Sequence, residues 1–354
     1  MNRLPKSIYC SLSSASHVQG IAFDAEQKYA YISFTTTLVK LDLSGNIVGS
    51  VTGLTGHLGC IAFNKDDGKV YGSIEYKHDS IGKGIISRLD GRSLAEEDAF
   101  YIAVFDVDKI DREGMDAEKD GVMKAVYLPD VVEDYSAVLE DGRLHKYCCS
   151  GIDGTAIGRV PGAPEDSPSM LLVAYGIYGD VARKDNDCQV ILQYDWRKFD
   201  EVGKPLSQLE PHHSGLRADE RYFVYTGNTT YGIQNLEYDS FTGDYFAAVY
   251  PGKKPQFANY PMFVIDGSVA PEEKEIPGLD GEKGKMLSLR NSGLSEGEIA
   301  LPGYRFGHGD TGIYSAGNGY FYISHHSKPA PGVYATEIKL YKYAGEDECL
   351  FKLV

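Results

Sequence analysis

The sequence predicts an all-β fold, a β-propeller of five blades. Composition is the first observation: Tyr 26, Phe 14 and Gly 40 against Met 6 describe a chain rich in strand and turn formers. The second is a hidden repeat. HVQGIAFD (17–24) and HLGCIAFN (57–64) share one plan, in which a short strand ends at Asp24 or Asn64, a polar turn follows, an aromatic-rich strand comes next, and a third strand ends in Asp. The third is the absence of sustained helical periodicity, which would place apolar residues every three or four positions.

Each unit can be justified in order. Unit one runs HVQGIAFD, YAYISF and LVKLDL, with IVGSV as a fourth strand. Unit two runs HLGCIAFN, KVYGSIEY and FYIAVFDV, with KAVYL as its fourth. Unit three has GIDGTAIG (151–158), SMLLVAYG, CQVILQYD and then RYFVYTG. Unit four has GIQNLEYD (232–239), DYFAAVY and MFVID, and unit five has HGDTGIYS (308–315), GYFYISHH and EIKLYKY. The starts at 17, 57, 151, 232 and 308 are unevenly spaced, so loop insertions set the unit length. SIYCSL and CLFKLV fall at the ring seam, where one of them completes the last blade. Six or seven blades are the alternatives, and five is preferred because each long interval holds strand material for one enlarged blade. Residues 1–354 read as one domain, and the Pro/Gly-rich stretches at 158–169 and 267–284 read as surface loops.

At the level of architecture the chain resembles the β-propeller superfamily, on this strand plan across nearly its whole length. Radial repetition of four-stranded sheets leaves only short, protected edges. The WD dipeptide and the kelch signature do not occur.

The charge balance excludes some partners. Thirty-five Lys and Arg against 51 Asp and Glu give a formal net charge of −16, which opposes phosphate backbones and anionic membranes. The opening MNRLPKSIYC carries no secretory apolar stretch, and no run approaches the ~18 apolar residues of a membrane span. The expectation is a soluble cytoplasmic protein with no nucleic-acid or membrane partner and no nucleotide cofactor; the oligomeric state is left open. Cys10, Cys60, Cys148, Cys149, Cys188 and Cys349 lack zinc-type spacing and read as reduced thiols in packed strands.

Propeller topology carries the site prediction. The first strand of each blade lines the central channel, and its leading end opens on the same face as the loop between strands two and three. Aligning the units on Gly20, Cys60, Gly154, Asn235 and Thr311 puts His17, His57, Gly151, Gly232 and His308 three positions earlier. Gln19, Gly59, Asp153, Gln234 and Asp310 stand one position earlier. Residues two apart on a strand share a face, so both sets look into the channel mouth. His17, His57 and His308 therefore form a candidate site for a divalent metal (Zn, Mn or Fe), with Gln19, Asp153 and Asp310 as further ligands or acceptors. The competing reading is a polar, water-filled channel, and a one-residue slip in a weaker copy would turn a side chain to the other face.

Loops on that face add a second layer. His78, Tyr178 and His325 are the candidate proton-transfer groups, and Glu75, Lys77, Tyr175, Asp180, Arg183, Lys254 and His326 the candidate substrate contacts. The pattern points to an enzyme acting on a small polar substrate, a sugar or oligosaccharide that could be acidic, by metal-dependent elimination or by hydrolysis. Cytosolic propeller lyases for acidic sugars offer a parallel to His17, His57, His308 and Gln19 by analogy of site alone. A glycosidase would need two facing carboxyl groups, for which Asp153, Asp310 and Glu75 are the candidates. The alternative class is a non-catalytic propeller that binds a ligand or a protein.

Overall fold

The computed structural model describes residues 4–13, 16–89 and 95–354. Five sheets stand around a central channel, and the innermost strand of each is the predicted leading segment. These strands are Val18–Phe23, His57–Asn64, Cys149–Gly158, Thr229–Asp239 and Ile313–Gly317. The sheets are built outward by antiparallel hairpins. In blade one Val18–Phe23 pairs with Tyr29–Phe34, that strand with Thr37–Asp42, and that in turn with Ile47–Thr52. Blade two follows the same plan through Lys69–Tyr76, Ala99–Phe105 and Met123–Tyr127. Blade three continues past Glu220–Tyr225 to a parallel neighbour, Lys283–Leu287, and then to Glu272–Glu275. Blade four has three strands, its outer side met by single bridges at Leu289 and Tyr304.

Both termini close the ring, where the sequence suggested that one would. Ser7–Ser13 pairs with the first half of Val333–Glu346, and Cys349–Leu353 pairs with its second half. Blade five therefore contains the first and last described strands of the chain. Ile8 and Cys10 of the first strand are buried in the core between blades one and five.

The cores lie between neighbouring blades, where aromatic rings fill the wedge that widens outward. Phe23 stacks on Tyr314 and Tyr322 across the junction of blades one and five, with centroids 4.7 and 4.8 Å away. The free cysteines, as expected, form no disulfide, and five of the six are buried.

Four inner strands carry a register shift near their leading ends, between Val18 and Gly20, Leu58 and Ile61, Ile152 and Thr155, and Ile233 and Asn235. A bulge frees backbone carbonyls from the ladder. Hydroxyl groups of neighbouring blades take up some of them: Ser33 Oγ donates to Gly59 O at 2.7 Å, and Ser73 Oγ to Asp153 O at 2.7 Å. Asn235 Nδ2 donates to both Gln19 O and Asp310 O, at 2.8 and 2.9 Å. The channel mouth is thus fixed by bonds between blades.

Candidate functional site

At the leading ends of the inner strands lies a cavity of about 160 Å³, lined by His17, Gln19, His57, Glu75, Lys77, Ile81, Ser150, Asp153, Tyr231, Gln234 and Tyr250. Five of these (His17, Gln19, His57, Asp153 and Gln234) belong to the two aligned positions read from the repeat. The short helix Ser80–Ile86 borders it, starting at Asp79, whose carboxylate accepts from the amides of Ile81 and Gly82.

His57 sits between two carboxyl groups. Its Nδ1 is 3.4 Å from Glu75 Oε1 and 3.7 Å from Asp153 Oδ1. Glu75 also pairs with Lys77 Nζ at 2.5 Å and accepts from the backbone of Ile152 at 3.1 Å. Gly151, at φ +124°, leaves room for that carboxylate: a Cβ there would stand 1.9 Å from Glu75 Oε2. Lys77 completes its shell on Ser150 O at 2.6 Å and Asp79 at 3.6 Å.

Environment separates the two acids. Burial raises the Glu75 carboxyl, but Lys77 and His57 outweigh it and hold the group below its ordinary value. Burial pushes Asp153 up to about 7, with only partial relief from His57. Its other oxygen accepts from Gln234 Nε2 at 3.2 Å. His57 itself is lowered by burial but raised on balance by Glu75 and Asp153.

His17, across the cavity, is held the other way. Burial and then His326 lower it below the ordinary histidine range. Its Nδ1 lies 2.7 Å from the Val18 carbonyl, which can only accept, so this nitrogen carries the proton and Nε2 holds the lone pair in the neutral ring.

Of the three histidines of the expected metal site, His17 and His57 line the one cavity and His308 does not. His17 pairs its ring with His326 at 4.9 Å, His308 meets His325 with tilted rings at 4.0 Å, and His57 stays with the carboxyl groups. His308 is exposed and outside the cavity lining. Among the described residues no three His, Cys, Asp or Glu side chains are arranged to hold a metal ion. Asp310 lies near His326, His17 and His308, and burial raises its carboxyl.

Several loop candidates are engaged elsewhere. Tyr175 is fully buried, its hydroxyl bonded to Asp134 at 2.8 Å, so its ring belongs to the core between blades two and three. His78 is held through Nδ1 by Asp98 and through Nε2 by Ala95 O, both at 2.9 Å. Arg183 pairs with Asp185 and donates to Leu144 O and His145 O, clamping one loop to another. Lys254 is buried on Asp187, Asn186 and Arg183 O. Asp180 is exposed and closes a turn by accepting from Ala182 N. Tyr178 donates to Asp79 at 2.9 Å and so supports the start of the bordering helix. His325 meets Tyr341 Oη at 2.9 Å, and burial together with His308 lowers it to about 4. These cations and rings fix the loops rather than face the cavity.

Sequence reasoning passed over Ser150, Tyr231, Tyr250 and Ile81. Tyr250 had a legible signal, since it is the penultimate residue of the second strand of blade four as Glu75 is of that of blade two. Tyr231 had none: it adopts φ +63°, a conformation unusual for a tyrosine and visible only in the backbone.

No family model and no curated protein matches the sequence. Among solved structures, the GH43_1 enzyme from Xanthomonas citri complexed with xylose is similar over 99% of this chain and 94% of its own, at 11% identity and a TM-score of 0.41. The same enzyme complexed with xylotriose is similar over the same shares, at 10% identity and a TM-score of 0.42.

Proposed function

We propose that the chain is a hydrolase acting on a small neutral sugar or glycoside in the channel-mouth cavity, with Asp153 as general acid and His17 as general base. One observation carries this reading: a carboxyl group pushed up to about 7 and a histidine held neutral line the same small cavity. Groups whose environments drive their proton affinities in opposite senses are suited to acid and base roles at one pH.

The step balances as follows. His17 Nε2 takes a proton from water as its oxygen bonds to the anomeric carbon. The glycosidic C–O bond breaks, and Asp153 gives its proton to the leaving oxygen. Solvent then returns a proton to Asp153 and removes one from His17. Gln234 orients Asp153, and the Glu75–Lys77 pair fixes His57 behind it.

Substrate size and charge follow from the lining. At ~30 Å³ per water, a cavity of about 160 Å³ takes a group the size of one sugar ring. Ile81, Tyr231 and Tyr250 offer apolar faces, and Gln19, Ser150 and Gln234 offer hydrogen-bonding groups. The one lysine in the lining is already neutralised by Glu75 and Asp79, so nothing there answers a substrate carboxylate. That favours hydrolysis of a neutral substrate over elimination from an acidic one.

The test is turnover of a panel of neutral and acidic aryl glycosides and oligosaccharides by the parent, Asp153→Asn and His17→Ala. The expected result is activity confined to neutral members and lowered in both variants by 10² or more, typical of a lost acid or base. Saturable sugar binding with no turnover of any member would move the reading to a non-catalytic binding propeller.

A further inference from the structure

A second cavity, of about 240 Å³, adjoins the first at the channel mouth. Gln19, His57 and Ile81 line both, so the two meet at these side chains. The helix Ser80–Ile86 turns Ser80, Ile81 and Ile85 to the second cavity, positions that helical spacing puts on one face, and the turn that follows adds Arg88. Thr35 completes the contact, its hydroxyl accepting from Gln19 Nε2 at 3.1 Å. The two volumes differ in chemistry. Glu75 and Asp153 line the first, whereas no carboxyl group is among the described residues that line the second. The Arg88 guanidinium is exposed, and neither it nor the Ser80 hydroxyl forms a hydrogen bond or ion pair among the described residues.

We infer that the second cavity holds the leaving ring of the substrate, which is then a neutral disaccharide or longer oligosaccharide; this rests on the proposed hydrolysis. The place of the acid carries the inference. Asp153 Oδ1 is 3.7 Å from Nδ1 of His57, the residue that lines both cavities, so the oxygen that Asp153 protonates stands at their junction. His17 lines the first cavity alone, so the attacked ring lies there and the departing ring beyond the junction. The size agrees: at ~30 Å³ per water, the second volume takes a whole ring with its hydroxyls. So does the lining. One exposed guanidinium with no second cation beside it is a poor host for a carboxylate, whereas its forked donors, with Ser80 Oγ, match neighbouring hydroxyls of a neutral ring.

Isoleucine methyl NMR on the full chain carrying Asp153→Asn tests it, because Ile81 reports both cavities and Ile85 the second alone. The probes are cellobiose, maltose, lactose and xylobiose, each beside the methyl glycoside of its non-reducing ring, titrated to ~10 mM. For at least one pair, the methyl glycoside should shift Ile81 and leave Ile85 unmoved, and the disaccharide should shift both and bind about tenfold tighter, as for a gained charge-assisted bond. Adding Arg88→Met should bring the disaccharide back to the affinity of the methyl glycoside. Arg88 is exposed, and unchanged methyl spectra away from the mouth show that the variant folds. Absence of binding by every probe, equal affinities within every pair, or a preference undiminished in Arg88→Met would each overturn the inference. Two-ring binding in this pattern with no turnover of any disaccharide by the parent would overturn the hydrolysis and leave the two-ring site standing. Turnover by the parent with no preference for a disaccharide over its methyl glycoside would do the reverse.

Discussion

Two residues in the channel mouth make the sharpest case for pH dependence. Asp153 is raised to about 7 in the folded chain, against an ordinary aspartate value of ~3.9 once unfolded. Between those values the folded state holds a proton that the unfolded chain has released, so raising the pH through this window costs stability, and above about 7 no further cost accrues. Asp153→Asn keeps a partner for Gln234 and removes the ionisation. It should match the parent near pH 4 and exceed it by a few kcal/mol, to order of magnitude, at pH 8, as chemical denaturation at both pH values would show. A variant less stable than the parent at pH 8 would mean that the carboxylate stabilises this site. Activity should follow a bell: the rising limb, set by loss of the proton from His17, lies below the ordinary histidine range, and the falling limb, set by Asp153, lies near 7. A pH–rate profile still rising above pH 8 would exclude Asp153 as the acid. His17, His57, Gln19 and Asp153 were legible as mouth residues because a strand repeats its facing every second residue and the units aligned on their leading ends. The proton affinities of the titratable ones were not legible, because they depend on burial and on groups from other parts of the chain: Glu75 and Lys77 for His57 and Asp153, His326 for His17.

Elements decide which side chains reach the mouth and which are spent in holding it. The repeat showed all five inner strands, since each has its own strand–turn–strand letters. It did not show that Arg183 and Lys254 would be consumed in clamping loops, because their partners Asp185, Asp187 and Asn186 lie in the same irregular segment, where no period fixes direction. The metal expectation met the same difficulty. His308 precedes the described inner strand of blade five, Ile313–Gly317, by several residues, so the equivalence drawn at the repeat's weakest copy does not carry into space. The helix Ser80–Ile86 was not read from the sequence either, being shorter than the window over which helical periodicity shows. It packs closely on the site: a Cβ on Gly82 would stand 1.7 Å from the Lys77 carbonyl oxygen. Gly82→Ala must therefore push the helix away from Lys77, which follows directly on the strand that carries Glu75. The expected cost is about 1–3 kcal/mol in chemical denaturation, with a larger proportional loss of turnover than of stability. Gly84→Ala meets nothing within 4 Å in the same helix and should leave turnover unchanged while raising stability by up to about 1 kcal/mol, which makes it the control. Equal behaviour of the two variants would show that the helix does not position the site.

At the scale of the whole molecule, the ring is closed by strands from both ends of the sequence meeting on one partner, Val333–Glu346. A propeller cannot bury the faces of its first and last blades until that seam forms, since every wedge core is shared between neighbours. The composition announced the architecture but not this arrangement, because SIYCSL and CLFKLV carry the same strand signal and nothing in either says which half of the third strand it joins. Ser7–Ser13 alternates exposed and buried residues, and it places Ile8 and Cys10 in the core that also holds Phe23, Tyr314 and Tyr322. Burial of two such side chains is worth about 3–6 kcal/mol at roughly 1.5–3 kcal/mol each, to which the ladder bonds to Ser7–Ser13 add. Tyr322 also loses a bond from its hydroxyl to Pro5 O if the segment is removed. Deleting residues 1–13 should therefore lower stability by at least about 3 kcal/mol and expose the edge of Val333–Glu346, which promotes self-association. The loss should be felt first between blades five and one. Hydrogen exchange in the deletion variant should accelerate in Val18–Phe23 and Tyr320–Ala330 well before Cys149–Gly158, on the far side of the ring. Adding the excised segment back as a synthetic peptide should restore protection at the same amides. Uniform acceleration in all five blades, or no acceleration at all, would mean that the seam is not the element that holds the channel mouth in register.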